Sequence, residues 1–268
     1  MPTRSPYALE RAGHATKLLR PGPSPQPFST QLAPSDAHVI EYRSGTLSLP
    51  AYVNAAIDPS SSKPAVLFLH GEFAFDNRMW EQCRAFRDAG WITMVPILRG
   101  ENGAPGSFTL YHDELDDVLA ARAALASIRG VDAARVFSVG HSAGAVLAML
   151  AALYAPVFRK VVSISGWPEI EPVLRWYPEY CTFDASDPRE LRLRSPLRFA
   201  RWFTAPVRAV FGREERQLRP WIERLVLASL DGDHAVEACE VEGDHFSVVE
   251  PAMREALRWF CDGSISER

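Results

Sequence analysis

Val136-Phe137-Ser138-Val139-Gly140-His141-Ser142-Ala143-Gly144-Ala145-Val146-Leu147 decides how the chain is read. An apolar run leads into a G-x-S-x-G pentapeptide, and a small-residue run follows it to Leu153. The pattern describes a buried strand, a sharp turn and a helix start, the bend that lifts a serine hydroxyl clear of the backbone. Gly140 and Gly144 leave room for close approach of strand and helix. Ser142 falls at the helix N-terminus, where unpaired N–H groups favour negative charge. The pentapeptide alone is a weak signal; the apolar segments on both sides strengthen it.

Outward from that stretch, strand and helix patterns alternate. His38–Tyr42 and Leu47–Val53 flank Ser44-Gly45 as a hairpin, with Pro50 suggesting a sheet edge. Ala65–Leu69 is a continuous apolar run, as expected of a strand covered on both faces. Arg78–Asp88 reads as an amphipathic helix, Trp91–Leu98 as a strand, and Asp113–Ile128 as a helix with an acidic first turn. Beyond Ser142, strands are expected at Val161–Ile164, Pro206–Phe211 and Ala235–Val241. Helices are expected at Leu218–Leu230 and Phe246–Cys261. The alternation predicts an α/β fold: a mainly parallel, doubly wound sheet. Residues 166–200, interrupted by five prolines, read as a small cap insertion in a domain spanning 37–262. Residues 1–36 read as a flexible, Pro-rich segment or a strap, and 263–268 as a tail.

Ser142 needs a neighbouring base, because a serine hydroxyl is a poor nucleophile at neutral pH. His245, in Glu242-Gly243-Asp244-His245-Phe246, follows the last strand, where open parallel sheets place site residues. His234 precedes that strand and falls at the wrong edge. Gly212-Arg213-Glu214-Glu215 offers the acid that orients the base. Glu215 is preferred there over Glu214, and over Glu169 or Asp244. Two backbone N–H groups are expected to face a developing oxyanion: that of Ala143, and that of Glu72 or Phe73 in His70-Gly71-Glu72-Phe73. The Glu72 side chain is expected to turn away or pair with an arginine. His70 reads as structural.

The 268 residues are 47% hydrophobic and 23% charged, with a net charge of −4, values ordinary for a soluble globular protein. They give no global basic field for nucleic acid or an anionic membrane. Arg189–Arg201 reads as a salt-bridged face. No apolar run is long enough to span a bilayer. Cys83, Cys181, Cys239 and Cys261 make no C-x-x-C or metal spacing, so free thiols in the cytoplasm are expected. Gly100-Glu101-Asn102-Gly103 is neither a Walker loop nor a dinucleotide fingerprint. No metal and no cofactor are expected.

Five segments carry a family resemblance: His70-Gly71, Arg99–Gly103, Gly140–Gly144, Ser195-Pro196-Leu197 and Gly243–Phe246. Through them the chain resembles an α/β-hydrolase over about Val39 to Phe260, within it the catalytic domain of the prolyl oligopeptidase group and related small esterases. The resemblance implies serine hydrolase chemistry through an acyl-enzyme, without a cofactor. The chain departs from the peptidases in having no room for their N-terminal β-propeller and in offering glutamate where they use aspartate. The expected activity is hydrolysis of a small-molecule carboxylic ester. The alternatives are an amidase or peptidase for short peptides, with Glu169, Glu171 or Glu179 as anchors for a charged terminus, and a non-catalytic binding protein. Phe73, Phe75, Trp167, Trp176 and Tyr177, with Tyr180 and Phe183, are candidates for a substrate pocket. A homodimer is left open.

Overall fold

The computed structural model describes residues 4–54 and 56–262; the 263–268 tail lies outside the described residues. Eight strands form one sheet: β1 (Ala37–Ser44), β2 (Leu47–Asn54), β3 (Lys63–Leu69), β4 (Ile92–Pro96), β5 (Val131–His141), β6 (Val161–Ile164), β7 (Val207–Gly212) and β8 (Glu237–Val241). Their order is β1-β2-β4-β3-β5-β6-β7-β8. The β1–β2 and β2–β4 pairs are antiparallel, and every pair from β4 onward is parallel. This is the mainly parallel, doubly wound sheet expected.

Strand β3 shows why the sheet is covered on both sides. Ala65, Leu67 and Leu69 enter one apolar core, while Val66 and Phe68 enter a second, following the period-2 alternation of a strand. On the first side lie α4 (Glu114–Ser127), α5 (Ala143–Tyr154) and α8 (Arg219–Ser229). The second side is covered by α2 (Asn77–Gln82), α3 (Arg84–Asp88) and α9 (Val249–Cys261). Helix α5 is buried from Ala143 to Leu153, so it shows no polar face. It lies against β5 because the glycines permit it: a Cβ on Gly140 would collide with the Gly144 carbonyl, and one on Gly144 with that of Leu69.

Pro50 is not at an edge. β2 is internal and β1 is the edge strand. The Pro50 carbonyl accepts Ile97 N–H at 2.9 Å. Its missing donor therefore faces the β4 side, just past the last paired residues, Ala51 and Pro96. The expected 78–88 helix breaks at Cys83, whose N–H bonds to the Trp80 carbonyl in a tighter turn. Arg87 donates to that same carbonyl and stacks on the Trp80 ring. The last helix starts at Val249 rather than Phe246, because the Asp244 carboxylate accepts the N–H groups of Phe246 and Ser247 and folds a turn there.

Residues 4–36 lie as a strap against the domain. Helix α1 (Pro6–Ala12) buries Tyr7 completely, and Tyr7 donates to the Leu193 carbonyl. The strap then bonds to the cap through Leu19 N–H and Thr182 O. It crosses the sheet's C-terminal edge through Ser24 N–H to Gly100 O and Phe108 N–H to Gly22 O, at 2.9 and 2.8 Å. The cap itself contains α6 (Ile170–Trp176), α7 (Pro188–Leu193) and two 3₁₀ turns. Arg189, Arg192 and Arg198 each pair with a carboxylate on a salt-bridged face, whereas Arg194 pairs with Glu190 in the interior.

Candidate active site

Strand register brings the site together. Leu69 pairs with Gly140, His141 with Ile164, Ile164 with Val210, and Gly212 with Val241. The loops that follow β3, β5, β6, β7 and β8 therefore leave one edge of the sheet side by side. Ser142 sits on the elbow with φ 51° and ψ −111°. Its N–H is tied to the Ile164 carbonyl at 2.8 Å, and Gly144 N–H to the His70 carbonyl at 3.1 Å. A left-handed residue that is not glycine persists only where its surroundings hold it, and these two bonds do so.

Ser142 Oγ lies 3.0 Å from His245 Nε2, and His245 Nδ1 lies 2.9 Å from Glu215 Oε1. A carboxylate only accepts, so Nδ1 carries the proton and Nε2 presents its lone pair to the serine hydroxyl. The other Glu215 oxygen accepts from Ser165 Oγ at 2.6 Å and Gly212 N–H at 2.8 Å. Burial opposes ionisation of Glu215, but the bonds from His245, Ser165 and Gly212 outweigh it and hold its pKa below the ordinary value. Glu215 is thus a fixed carboxylate facing the imidazole. Glu214 is exposed, Glu169 pairs with Arg198 at 2.6 Å, and Asp244 caps its own turn. His234 sits in the connection ahead of β8.

The amides of Glu72 and Ala143 have no hydrogen-bond acceptor among the described residues. Phe73 N–H, the alternative considered for the first, is taken by Gln26 Oε1 at 2.7 Å. The Glu72 side chain turns away toward the strap and accepts from Gln26 Nε2 at 2.5 Å, rather than from an arginine. His70 is buried, within 3.2 Å of Glu101, and Glu101 in turn accepts Leu98 N–H. His70 is therefore a tie between two loops.

His141 escaped the sequence reading. Its Nε2 is 2.9 Å from the His245 carbonyl, which requires that nitrogen to donate. Burial and the neighbouring His245 push its pKa down to about 4. It is neutral at pH 7 and anchors the backbone of the His245 loop. The sequence signal was its place in Gly140-His141-Ser142, beside the nucleophile.

A cavity of about 520 Å³ opens at Ser142 and His245, walled by Phe73, Tyr111, Trp167, Trp176, Tyr177 and Tyr180. Glu72, Ala143, Val146, Val173, Gln26, Pro27 and Phe246 complete it, and none of its walls carries a lysine or arginine. Phe73, Trp167, Trp176 and Tyr177, candidates for a substrate pocket, line this cavity. Phe75 is not. Asn102 holds its backbone at both N–H and C=O, and its ring packs on Tyr52 with centroids 4.6 Å apart, in the second core. Phe183 is core as well, beneath the Arg194 guanidinium. Nothing in the sequence pattern places Tyr111 in the cavity; it reaches there through a loop with φ 77°. A smaller recess of about 190 Å³ meets the same serine on the other side, lined by Asp76, Arg78, Gln82 and His141. Among the described residues, no group of three or more His, Cys, Asp or Glu side chains is arranged to hold a metal ion.

Residues 66–258 match the family model described as the alpha/beta hydrolase family. The chain belongs to that family. Among solved structures, this hydrolase is similar to a puromycin-hydrolyzing peptidase of Mycobacterium tuberculosis, with TM-score 0.73 and 21% identity over 84% of this chain and 40% of that one. It is also similar to the acylaminoacyl peptidase of Pyrococcus horikoshii, with TM-score 0.68 and 16% identity over 84% of this chain and 41% of the other. A dienelactone hydrolase described as putative, from Klebsiella pneumoniae, matches with TM-score 0.66 and 17% identity over 84% of this chain and 98% of its own. The chain spans about 40% of the length of the two peptidases. No curated protein matches it. Among the described residues, no helix is long and apolar enough to cross a membrane.

Proposed function

We propose that this hydrolase cleaves carboxylic esters through an acyl-enzyme on Ser142. The observation that carries the reading is the unbroken chain Ser142 Oγ, His245, Glu215, with contacts of 3.0 and 2.9 Å. His245 Nε2 takes the hydroxyl proton as Ser142 attacks the acyl carbon. Glu215 stabilises the imidazolium and fixes its tautomer. The amides of Glu72 and Ala143 receive the oxyanion, each such donor being worth about 10²–10³ in rate. His245 then returns the proton to the departing alkoxide, and water repeats the sequence on the acyl-enzyme. The aromatic cavity suits an apolar or aromatic group on one side of the scissile bond, and the polar recess a smaller group on the other. The four cysteines are unbridged, which supports a reducing, cytoplasmic setting.

The peptidase neighbours carry a second reading, in which the same residues cleave a short peptide or amide. Against it, Glu169, Glu171 and Glu179 do not line the cavity, and Glu169 and Glu171 are engaged by Arg198. Comparing p-nitrophenyl esters with aminoacyl-anilides separates the two; anilides turned over faster than esters overturn the ester reading. A fluorophosphonate probe is expected to label wild-type protein at Ser142. Ser142→Ala is expected to lose labelling and turnover with little change in melting temperature. More than about one percent of wild-type turnover in that variant sinks the nucleophile assignment, given the residual rates of triad-deleted hydrolases. A folded wild type that takes no label favours a non-catalytic binding role.

A further inference from the structure

We propose that Gln26, on the N-terminal strap and outside the residues that match the family, is a positioning residue for the oxyanion loop. The proposal rests on the hydrolase reading of Ser142. Glu72 holds φ at 66°, a left-handed conformation in which an L-residue stays only when surrounding structure fixes it. In that conformation its N–H is left without an acceptor among the described residues and its side chain faces the strap. Gln26 grips both sides of this strained peptide. Its Oε1 accepts Phe73 N–H at 2.7 Å and its Nε2 donates to Glu72 Oε2 at 2.5 Å. Only this orientation of the amide satisfies both partners, since Phe73 N–H must donate and the carboxylate must accept.

Two consequences follow from the same pair of bonds. Phe73 N–H is withdrawn as a competing donor, so the Glu72 amide is the one left for the oxyanion. The Glu72 carboxylate is held on the strap, away from the place where a second negative charge would oppose the transition state. Gln26 is itself carried by a docked chain: Ser24 N–H bonds to Gly100 O, and Pro27 beside it forms part of the cavity wall. Further along, Gln31 accepts Asn77 N–H at 2.8 Å and bonds to neither Glu72 nor Phe73. That contact supplies a control for strap docking.

The test compares wild type, Gln26→Ala, Gln31→Ala, Gln26→Glu, and Gln26→Glu combined with Glu72→Gln. The readouts are p-nitrophenyl butyrate turnover and the rate of fluorophosphonate labelling. Loosening one oxyanion donor predicts a fall in kcat of about 10- to 100-fold for Gln26→Ala, with KM within about threefold and labelling slowed in step. Gln31→Ala stays within about twofold of wild type. Gln26→Glu loses activity because two carboxylates then meet. Adding Glu72→Gln exchanges donor and acceptor, rebuilds both bonds, and restores kcat toward wild type. A Gln26→Ala enzyme with unchanged kcat, an equal loss in Gln31→Ala, or no recovery in the double variant overturns the positioning role while leaving the hydrolase reading intact. A wild-type protein that is neither labelled nor active removes the hydrolase reading and this role together.

Discussion

Backbone strain in this molecule is concentrated at the candidate site. Among the described residues, six that are not glycine have positive φ, and four of them lie there. Ser142 is the elbow, Glu72 and Tyr111 face the cavity, and Ser165 donates to Glu215. Such conformations cost roughly 1–3 kcal/mol each and persist because neighbours over-determine them. Ser142, Glu215 and His245 were legible in the sequence because each lies just past a strand end, and a strand end is set by periodicity alone. Gln26 and His141 were not, because an amide or imidazole shows its partner only once the chain is folded. Gly71 is a residue whose role appears only in three dimensions. A Cβ there would sit 2.6 Å from His141 Nδ1, and the buried His141 ring has its other nitrogen committed to the His245 carbonyl. Gly71→Ala therefore pushes the ring toward the His245 loop and disturbs the serine–imidazole contact. A displacement of this order predicts a loss of about 10- to 100-fold in kcat. The same ester assay checks it, and an unchanged kcat would show that the ring yields without moving His245.

At the level of elements, the strands and long helices followed the sequence reading, and the short helices did not. A helix such as α9 repeats its apolar side over thirteen residues, which is enough to read. Helices α1, α6 and α7 span six or seven residues, about two turns, so tertiary contacts rather than propensity must hold them. Arg194, at the end of α7, supplies such contacts. Fully buried, it donates to the carbonyls of Thr109 and Leu110, to Glu190, and to Thr16 on the strap. Cap, strap and the loop before α4 thus share one guanidinium. Glu190 also accepts Thr16 Oγ1 and Lys17 N–H. Arg194→Leu leaves that carboxylate buried without its cation and three segments without their tie. Breaking a buried pair in this way costs about 3–5 kcal/mol. Urea unfolding is the measurement, with the midpoint expected to fall by the corresponding amount. Adding Glu190→Gln removes the stranded charge and recovers part of the loss. A single variant within about 1 kcal/mol of wild type would mean that the network contributes little to stability.

Considered whole, the molecule is a family domain with a strap laid over it, and the boundary between them explains what sequence reading missed. Residues 66–258 carry the family pattern, yet residues 5–36 bury Tyr7, close one side of the cavity and reach the oxyanion loop. Prolines and small polar residues give that segment no periodicity, and its contacts are to the rest of the domain. Charge also lies in the interior. The acidic first turn of α4 suits the helix dipole, yet Glu114 and Asp117 are buried. Asp117 is paired with Arg99 at 2.7 Å. Glu114 accepts from Thr109 N–H and its hydroxyl, and the charges around it are Asp117, Arg99 and Arg194. Burial, reinforced by Asp117 and opposed by the Thr109 bonds, raises the Glu114 pKa from 4.5 to about 7. Between those values the unfolded chain has released the proton and the folded chain retains it, so the folded state binds more protons. Stability attributable to Glu114 is therefore fully present below pH 4.5, declines as pH rises to about 7, and is constant above. Glu215 and Asp113, whose pKa values are lowered, act in the opposite sense and lose their contribution as pH falls through the acid range. Subtracting the unfolding free energy of Glu114→Gln from that of wild type at each pH cancels those other groups. The difference should fall by about 3 kcal/mol between pH 4.5 and 7, taking 1.36 kcal/mol per pKa unit. A difference that stays flat across that window would mean that Glu114 ionises as readily inside the protein as in the unfolded chain.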